Sequence, residues 1–308
     1  MYDIIIGNPP YNAPSHILVH KGAGGRNNIW QKFVELSLRI LNDSGYLCFI
    51  HPNKWRKPDD KLWPLMTANQ IRYLEIHSKQ DGLKHFNATT RYDVYVLEKT
   101  KPYTKTHIKD ELGEDHYESL MDWPWLPNFE FDLIKDMIVK DDCEIIYSRS
   151  MYGSDKQHMD TSEMSIHRDA PKDIIYDSIY ESRHHYLDTS EKSIHRDAPT
   201  KPFPCVSAMT KKGLKFCYSD KDRGHFGIPK VIVSTGQYPY PLNDYDGKYG
   251  MCHRAFGIPI KSKAEGDRIV DWLSGPEMTR VLKATKWGIF QIEKNMFKYL
   301  KCVRRKNV

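Results

Sequence analysis

The chain has 308 residues, with 46 Lys/Arg against 40 Asp/Glu for a formal net charge of +6, and 40% apolar residues. That length holds one large domain or two of ordinary size around a substantial core. No run approaches the roughly 20 apolar residues of a membrane helix, and six cysteines without a C-x-x-C pair argue against a metal centre or a disulfide framework, so a reducing cytoplasm is the expected compartment.

Ile4 to Ile6 reads as a buried strand, with no secretory leader ahead of it. It stops at Gly7 and at Pro9-Pro10, which cannot continue a sheet ladder. The chain is therefore forced into a rigid turn that carries an amide, Asn8, and a ring, Tyr11. An amide oxygen and a turn carbonyl can accept hydrogen bonds from an exocyclic amine, and a ring can stack on the face of a planar base.

The Gly-rich, basic stretch His20 to Asn28, with Arg26, lacks the G-x-x-x-x-G-K-[ST] phosphate cradle and reads as a mobile loop beside a site. Trp30, Phe33, Val34, Ile40 and Leu41 recur at helical spacing, and Asn42-Asp43-Ser44-Gly45 is the stop signal. Tyr46 to His51 reads as a strand closed by Pro52, Lys61 to Asn69 as a short helix, and Ile71 to His77 as a third strand. This alternation predicts an α/β fold with a doubly wound sheet.

Asn8-Pro9-Pro10-Tyr11 after an apolar strand resembles motif IV of the amino-methyltransferases, above all the adenine-N6 DNA methyltransferases of restriction-modification systems. Asn28-Ile29-Trp30, the stretch Ser44 to Pro52 and Trp55 follow in that family's order, and Phe86, ahead of the strand Tyr92 to Leu97, stands where the family places a second stacking ring. The resemblance covers roughly residues 1 to 100. It implies a partial doubly wound, Rossmann-like methyltransferase sheet over residues 1–104. It also implies that Asn8, Pro9, Pro10 and Tyr11 form the catalytic motif. Asn8 and the Pro9 carbonyl would polarise the adenine amine, and Tyr11 and Phe86 would clamp the flipped base. The implied methyl donor is S-adenosyl-L-methionine.

That family binds its donor mainly through elements preceding motif IV, including a glycine-rich turn. Gly224 to Pro229 and Ala255 to Pro259 are the nearest alternatives downstream, but both put Pro where the turn should enter a helix, and neither has G-x-G spacing. Either a separate polypeptide supplies the donor-binding half, or the chain is a truncated form. Half a doubly wound sheet would leave a strand edge and an apolar face uncovered.

Lys99 to Lys109 is polar and strand-poor and marks the expected boundary, with residues 105–143 as a connector that includes a helix at Phe131 to Val139. Residues 144–308 form the expected second domain, of mixed α+β type. It opens on a tandem duplication at about 145–199, in which His158 to Pro171 recurs as Tyr186 to Pro199. Its His-Arg-Asp tripeptides are similar to a kinase catalytic loop, but no Asp-Phe-Gly or glycine-rich loop accompanies them, and that reading is discarded. Strands are expected at Lys230 to Ser234 and Met251 to Ile260, with a helix near Asp267 to Thr285.

Residues 201–308 hold 21 Lys/Arg against 9 Asp/Glu, which leaves the first 200 residues with 25 against 31. A basic C-terminal third suits a polyanion. Gly224 to Val233 and Asn243 to Gly250 resemble the target-recognition region of restriction-type adenine methyltransferases. The phosphate-contacting candidates are Arg26, Lys230, Lys248, Lys286, Lys294 and Lys298, with Trp287 to Phe290 beside the basic tail. The expected partner is double-stranded DNA, in a bacterial or phage setting. Two other readings stand beside this one: a non-catalytic DNA-binding remnant that fails to bind the donor, and a protein-glutamine methyltransferase, which also uses Asn-Pro-Pro-Tyr. The basic second half, Phe86 and the Trp55 segment count against the latter.

Overall fold

The structure is a computed structural model that describes residues 1–12, 28–139, 144–147, 159–160, 176–177, 184–185, 202–210, 213–219, 222, 224–236, 238–288 and 291–301. The chain divides into two units, Met1–Asp136 with Ala284–Ile289, and Met137–Lys283 with Phe290–Val308.

The first unit runs β1 (Tyr2–Gly7), α1 (Trp30–Ile40), β2 (Leu41–Pro52), α2 (Leu62–Thr67), β3 (Gln70–His77), α3 (Lys79–Phe86), β4 (Tyr92–Glu98), β5 (Thr106–Lys109), β6 (Asp115–Glu118) and α4 (Phe131–Met137). Its sheet has the order β1-β2-β4-β3-β5-β6. The pairs β1/β2 and β3/β5 are parallel, whereas β4 runs antiparallel to both β2 and β3, and β6 antiparallel to β5. The sheet is therefore mixed α/β and not uniformly doubly wound. The connection from β3 to β4, α3 included, begins and ends at the same end of the sheet, with His77 paired to Tyr92, so β4 runs back antiparallel to β3.

Helix α1 buries Trp30, Val34 and Leu38, one stripe at helical spacing, while Leu41, Leu47 and Phe49 of β2 are buried as well. The stop signal Asn42 to Gly45 acts as expected, although within a strand. Tyr2 pairs with Leu41 and Ile4 with Tyr46, so Asn42 to Gly45 bulge opposite the single residue Asp3. Ser44 takes φ +61°, and a Cβ on Gly45 would lie 2.9 Å from the carbonyl oxygens of both Asn42 and Asp3. Only glycine fits there.

Two expectations are corrected. β1 is not buried: it is an edge strand with Tyr2, Ile4 and Ile6 exposed by 59, 59 and 77%. The first unit also does not end near residue 104. Thr106 Oγ1 donates to the Ile71 carbonyl at 2.7 Å, and Gln70 Oε1 accepts from the backbone amides of Tyr103 and Thr104 at 2.8 and 3.0 Å. The polar stretch is thereby stitched to β3, and the division falls after Asp136.

In the second unit, β7 (Met159–Asp160), β10 (Phe203–Thr210), β11 (Gly213–Ser219) and β14 (Gly250–Met251) form a sheet of order β14-β10-β11-β7. A second sheet of order β13-β12-β15 comprises β12 (Lys230–Ser234), β13 (Leu242–Asp244) and β15 (Ala255–Pro259), and β8 (Tyr176–Asp177) pairs with β9 (His184–His185). The strand expected over Met251 to Ile260 is thus two strands, separated by a turn in which the Ala255 amide donates to the Cys252 carbonyl at 3.0 Å. The helix expected near Asp267 to Thr285 is likewise two, α5 (Lys263–Ser274) and α6 (Pro276–Ala284). Pro276 has no amide to extend α5 and instead starts α6, where none is needed. Apart from Ile145 to Tyr147 and short pieces including Met159–Asp160, the duplicated segment lies outside the described residues, as does Arg26. No described helix is long and apolar enough to cross a membrane.

Candidate active site

The register of the first sheet sets Pro52, Tyr92 and His77 side by side at one edge, and Gly7 of β1 pairs with Phe49 three residues from that edge. The turn Asn8 to Tyr11 therefore leaves the sheet at the edge where α3 and the segment Arg91-Tyr92-Asp93 are anchored. Asn8 is exposed, and its amide makes no hydrogen bond among the described residues; Pro9 is buried and Tyr11 half-buried. The amide of Ile29 donates to the Tyr11 carbonyl at 3.2 Å, so the segment before α1 holds the turn from behind. The Tyr11 hydroxyl is buried and has no hydrogen-bond partner among the described residues. Burial and, secondarily, the charge of Asp93 push its pKa up to about 12, so it stays a neutral phenol.

Phe86 lies at the C-terminal end of a helix and not in a free loop. Ser78 and Asp81 form a reciprocal capping box at the start of α3, and Asn87 ends it in the left-handed region at φ +50°. Gly82 is packed so closely that an added Cβ would run into the Thr90 carbonyl oxygen. The Phe86 ring is 36% exposed and meets Tyr92 edge-to-face at 4.9 Å. Tyr92 is buried, stacks in parallel on His77 at 4.4 Å, and shares a 2.7 Å hydrogen bond with His85 Nδ1. Its pKa is also pushed up to about 12, by burial first, then by Asp81, Glu75 and Tyr11, so the two phenols lie within electrostatic reach of each other.

Behind the turn is a fully buried ion pair. Arg56 Nε donates to Asp93 Oδ2 at 2.8 Å and Nη2 to Oδ1 at 3.0 Å, with Trp55 Nε1 on Oδ2 at 2.7 Å. The remaining Arg56 protons reach the carbonyls of Leu126 and Pro127 and the side chain of Asn128. Such saturation lets an ion pair sit in a core. It also leaves the Asp93 carboxylate committed to Arg56 and Trp55, and so unsuited to act as a general base. Nearby His51 is fully buried and its pKa is lowered by burial to about 4. As a neutral ring its Nδ1 donates to the Pro52 carbonyl at 3.1 Å, its Nε2 accepts from Tyr95 at 3.2 Å, and Trp30 stacks on it at 4.4 Å.

Among the described residues the edge thus offers an amide without a hydrogen bond and aromatic surface, while the Asp93 carboxylate is tied to Arg56, an arrangement suited to hydrogen-bonding and stacking a neutral, planar, amine-bearing group. Tyr92, His77, His85, Arg56 and Asp93 were missed from sequence. A signal for two of them is present: Asp93 interrupts the apolar strand Tyr92 to Leu97, and a charge buried there requires a partner such as Arg56.

The phosphate-contacting candidates scatter. Lys230 is a correction: it is fully buried, with its ammonium on Asp244 at 2.7 Å and on the carbonyls of His225 and Ile228, where no phosphate can reach it. Lys248 is exposed and pairs with Asp246 at 3.0 Å. The Lys294 ammonium sits over the Tyr147 ring at 4.1 Å, and Lys298 is half-buried in the same turn, Lys294–Tyr299. Lys286 belongs to the first unit, and its carbonyl accepts from Arg91 and Asn128. Trp287 is buried with Nε1 on the Leu126 carbonyl, a packing role and not a phosphate contact. Asp110, Glu114 and His116 have ligand atoms within 4.8 Å of one another, but Asp110 Oδ1 already accepts the amides of Leu112 and Glu114, and Oδ2 faces His116, as a turn anchor would.

Residues 1–82 match the family of the Eco57I restriction-modification methylase. The Type II methyltransferase M.TthHB8I of Thermus thermophilus is 35% identical over 75 residues, covering 19% of this chain and 18% of that protein. Among solved structures, a class I S-adenosylmethionine-dependent methyltransferase from Listeria monocytogenes aligns over 35% of this chain and 36% of its own, at TM-score 0.27 and 18% identity. The Type IIL restriction-modification enzyme MmeI, solved in complex with DNA, aligns over 96% of this chain and 45% of its own, at TM-score 0.45 and 11% identity. Residues 1–82, which include the Asn8 to Tyr11 turn, are thus similar to restriction-modification methyltransferases, and the chain spans less than half the length of each of these relatives.

Proposed function

We propose that the chain carries the base-holding part of a DNA methyltransferase that modifies the exocyclic N6 amine of an adenine flipped out of the duplex. The observation that carries this reading is the exposed Asn8 amide just after β1, without a hydrogen bond among the described residues and inside the segment that matches the Eco57I methylase family. An exocyclic adenine amine is a poor nucleophile because its lone pair is delocalised into the ring. Hydrogen bonds from that amine to the Asn8 Oδ1 and the Pro9 carbonyl favour a more tetrahedral nitrogen and localise the lone pair. No strong base is needed to begin this, in keeping with an Asp93 that is tied to Arg56. Tyr11 and Phe86 offer rings to the base and offset part of the few kcal/mol of unstacking.

S-adenosyl-L-methionine, when bound, supplies the methyl group. The described residues of this chain do not fit it: they place no glycine-rich turn at the site edge, and β1 beside the motif is an open edge with Tyr2, Ile4 and Ile6 in solvent. The donor-binding half is assigned to a separate polypeptide docked along β1. Double-stranded DNA is the assigned substrate, and the basic second unit the assigned recognition domain. The open edge also favours a second reading, a DNA-binding remnant without donor.

The test is single-turnover methylation of adenine in duplex DNA by this chain together with a donor-binding polypeptide. Asn8→Ala is expected to lower the rate at least a hundredfold, while DNA affinity stays within twofold, because the amide acts on the amine and not on the backbone. Full activity in Asn8→Ala would remove the assignment.

A further inference from the structure

We propose that Tyr92 is a positioning residue that fixes the Phe86 ring, so that the aromatic wall offered to a base is set by three residues and not by Tyr11 and Phe86 alone. This rests on the base-holding reading of the site. Phe86 is the last residue of α3 and stands 36% exposed, so its rotamer is chosen by the neighbours on its covered side, among them the ring of His85 at 6.4 Å. Tyr92 supplies that choice through an edge-to-face contact at 4.9 Å and an interplanar angle of 81°.

Tyr92 can do so because it is itself held on every side. It is 3% exposed, its ring lies parallel to His77 at 4.4 Å and 9°, and its hydroxyl is 2.7 Å from His85 Nδ1. His85 is the residue before Phe86, so the same tyrosine grips both the Phe86 ring and the neighbouring side chain. Its burial leaves no face for a base, and it acts on a base only through Phe86.

The experiment uses the fluorescence of 2-aminopurine deoxyribonucleoside, which is quenched on stacking and requires neither a recognition sequence nor a methyl donor. Wild-type protein is expected to quench it, and Phe86→Ala and Tyr92→Leu each to weaken binding roughly tenfold. Tyr92→Phe keeps the ring contact and is expected to stay within about twofold of wild type. The double variant Phe86→Ala/Tyr92→Leu is expected to bind no more weakly than Phe86→Ala, since both changes remove one interaction. His85→Ala, at an exposed position, removes the hydroxyl tie together with the edge contacts that its ring makes with Tyr92 and Phe86 at 6.3 and 6.4 Å, and is expected to weaken quenching severalfold in wild type but not in the Phe86→Ala background. This variant carries the test if Tyr92→Leu does not fold. Wild-type quenching that Phe86→Ala weakens but neither Tyr92→Leu nor His85→Ala alters would overturn the positioning role, as would additive losses in the double variants. Absence of quenching by the wild type would instead overturn the base-holding reading, and this inference with it.

Discussion

Two histidines are held neutral in the interior, each by a hydrogen bond that needs a bare ring nitrogen. His51 accepts from Tyr95, and His225 Nδ1 accepts the Met251 amide at 3.1 Å. Burial lowers the pKa of both to about 4, with the charge of Lys230 contributing at His225. An unfolded histidine takes up its proton near pH 6.5, so between there and about pH 4 the unfolded chain binds more protons than the folded one. Stability is therefore full above pH 6.5 and falls as the pH drops through that window, by about 3 kcal/mol for the fully buried His51. Thermal unfolding followed from pH 7.5 to 4.5 is expected to show this loss, and His51→Gln to flatten part of the slope. Lys230 gives a second residue-scale test. Its removal leaves Asp244 buried without its ammonium, so Lys230→Met is expected to cost about 3–5 kcal/mol in urea unfolding. The salt dependence of DNA binding should not change, as it would for a phosphate contact.

Among the elements, α3 and β1 matter most to the site. Helix α3 holds Phe86 where it does because Gly82 lets the helix lie directly against the Thr90 carbonyl. Gly82→Ala forces a backbone shift and is expected to destabilise the first unit by about 2 kcal/mol. It should also weaken 2-aminopurine quenching as much as Phe86→Ala does, with both readouts taken on the same preparation. β1 shows where sequence patterning stops. Its β-branched run specifies a strand, but whether that strand is covered depends on what lies beyond it, and here Ile4 and Ile6 face solvent. Exposed apolar edges of this kind are templates for strand addition.

At the scale of the whole molecule the chain crosses between its units three times, after Asp136, after Lys283 and after Ile289. The short return places Trp287 within the first unit, edge-on to Trp125 at 5.4 Å, which the sequence-based boundary near residue 104 could not anticipate. With the donor half assigned outside these residues, isothermal titration of S-adenosylmethionine into this chain alone is expected to give no binding heat, and addition of the donor-binding polypeptide to restore it. Binding by this chain alone would defeat both that assignment and the remnant reading.

The sequence by itself determined the strand-turn of Asn8 to Tyr11, the order of helices and strands through β4 with the exception of α3, the looped stop at Asn42 to Gly45 and the place of Phe86 ahead of β4. These are written in local chemistry: proline without an amide, glycine without a side chain, apolar residues at fixed spacing. Only the tertiary structure decided that β4 runs antiparallel, that β1 is an open edge, that Lys230 is an interior cation and that Tyr92 and the Arg56–Asp93 pair stand behind the two rings. Those features depend on partners far along the chain, 14 residues for Lys230 with Asp244 and 37 for Arg56 with Asp93. A lysine or an aspartate has the same letter whether its charge meets water or a counter-ion in the core, and burial alone separates the two.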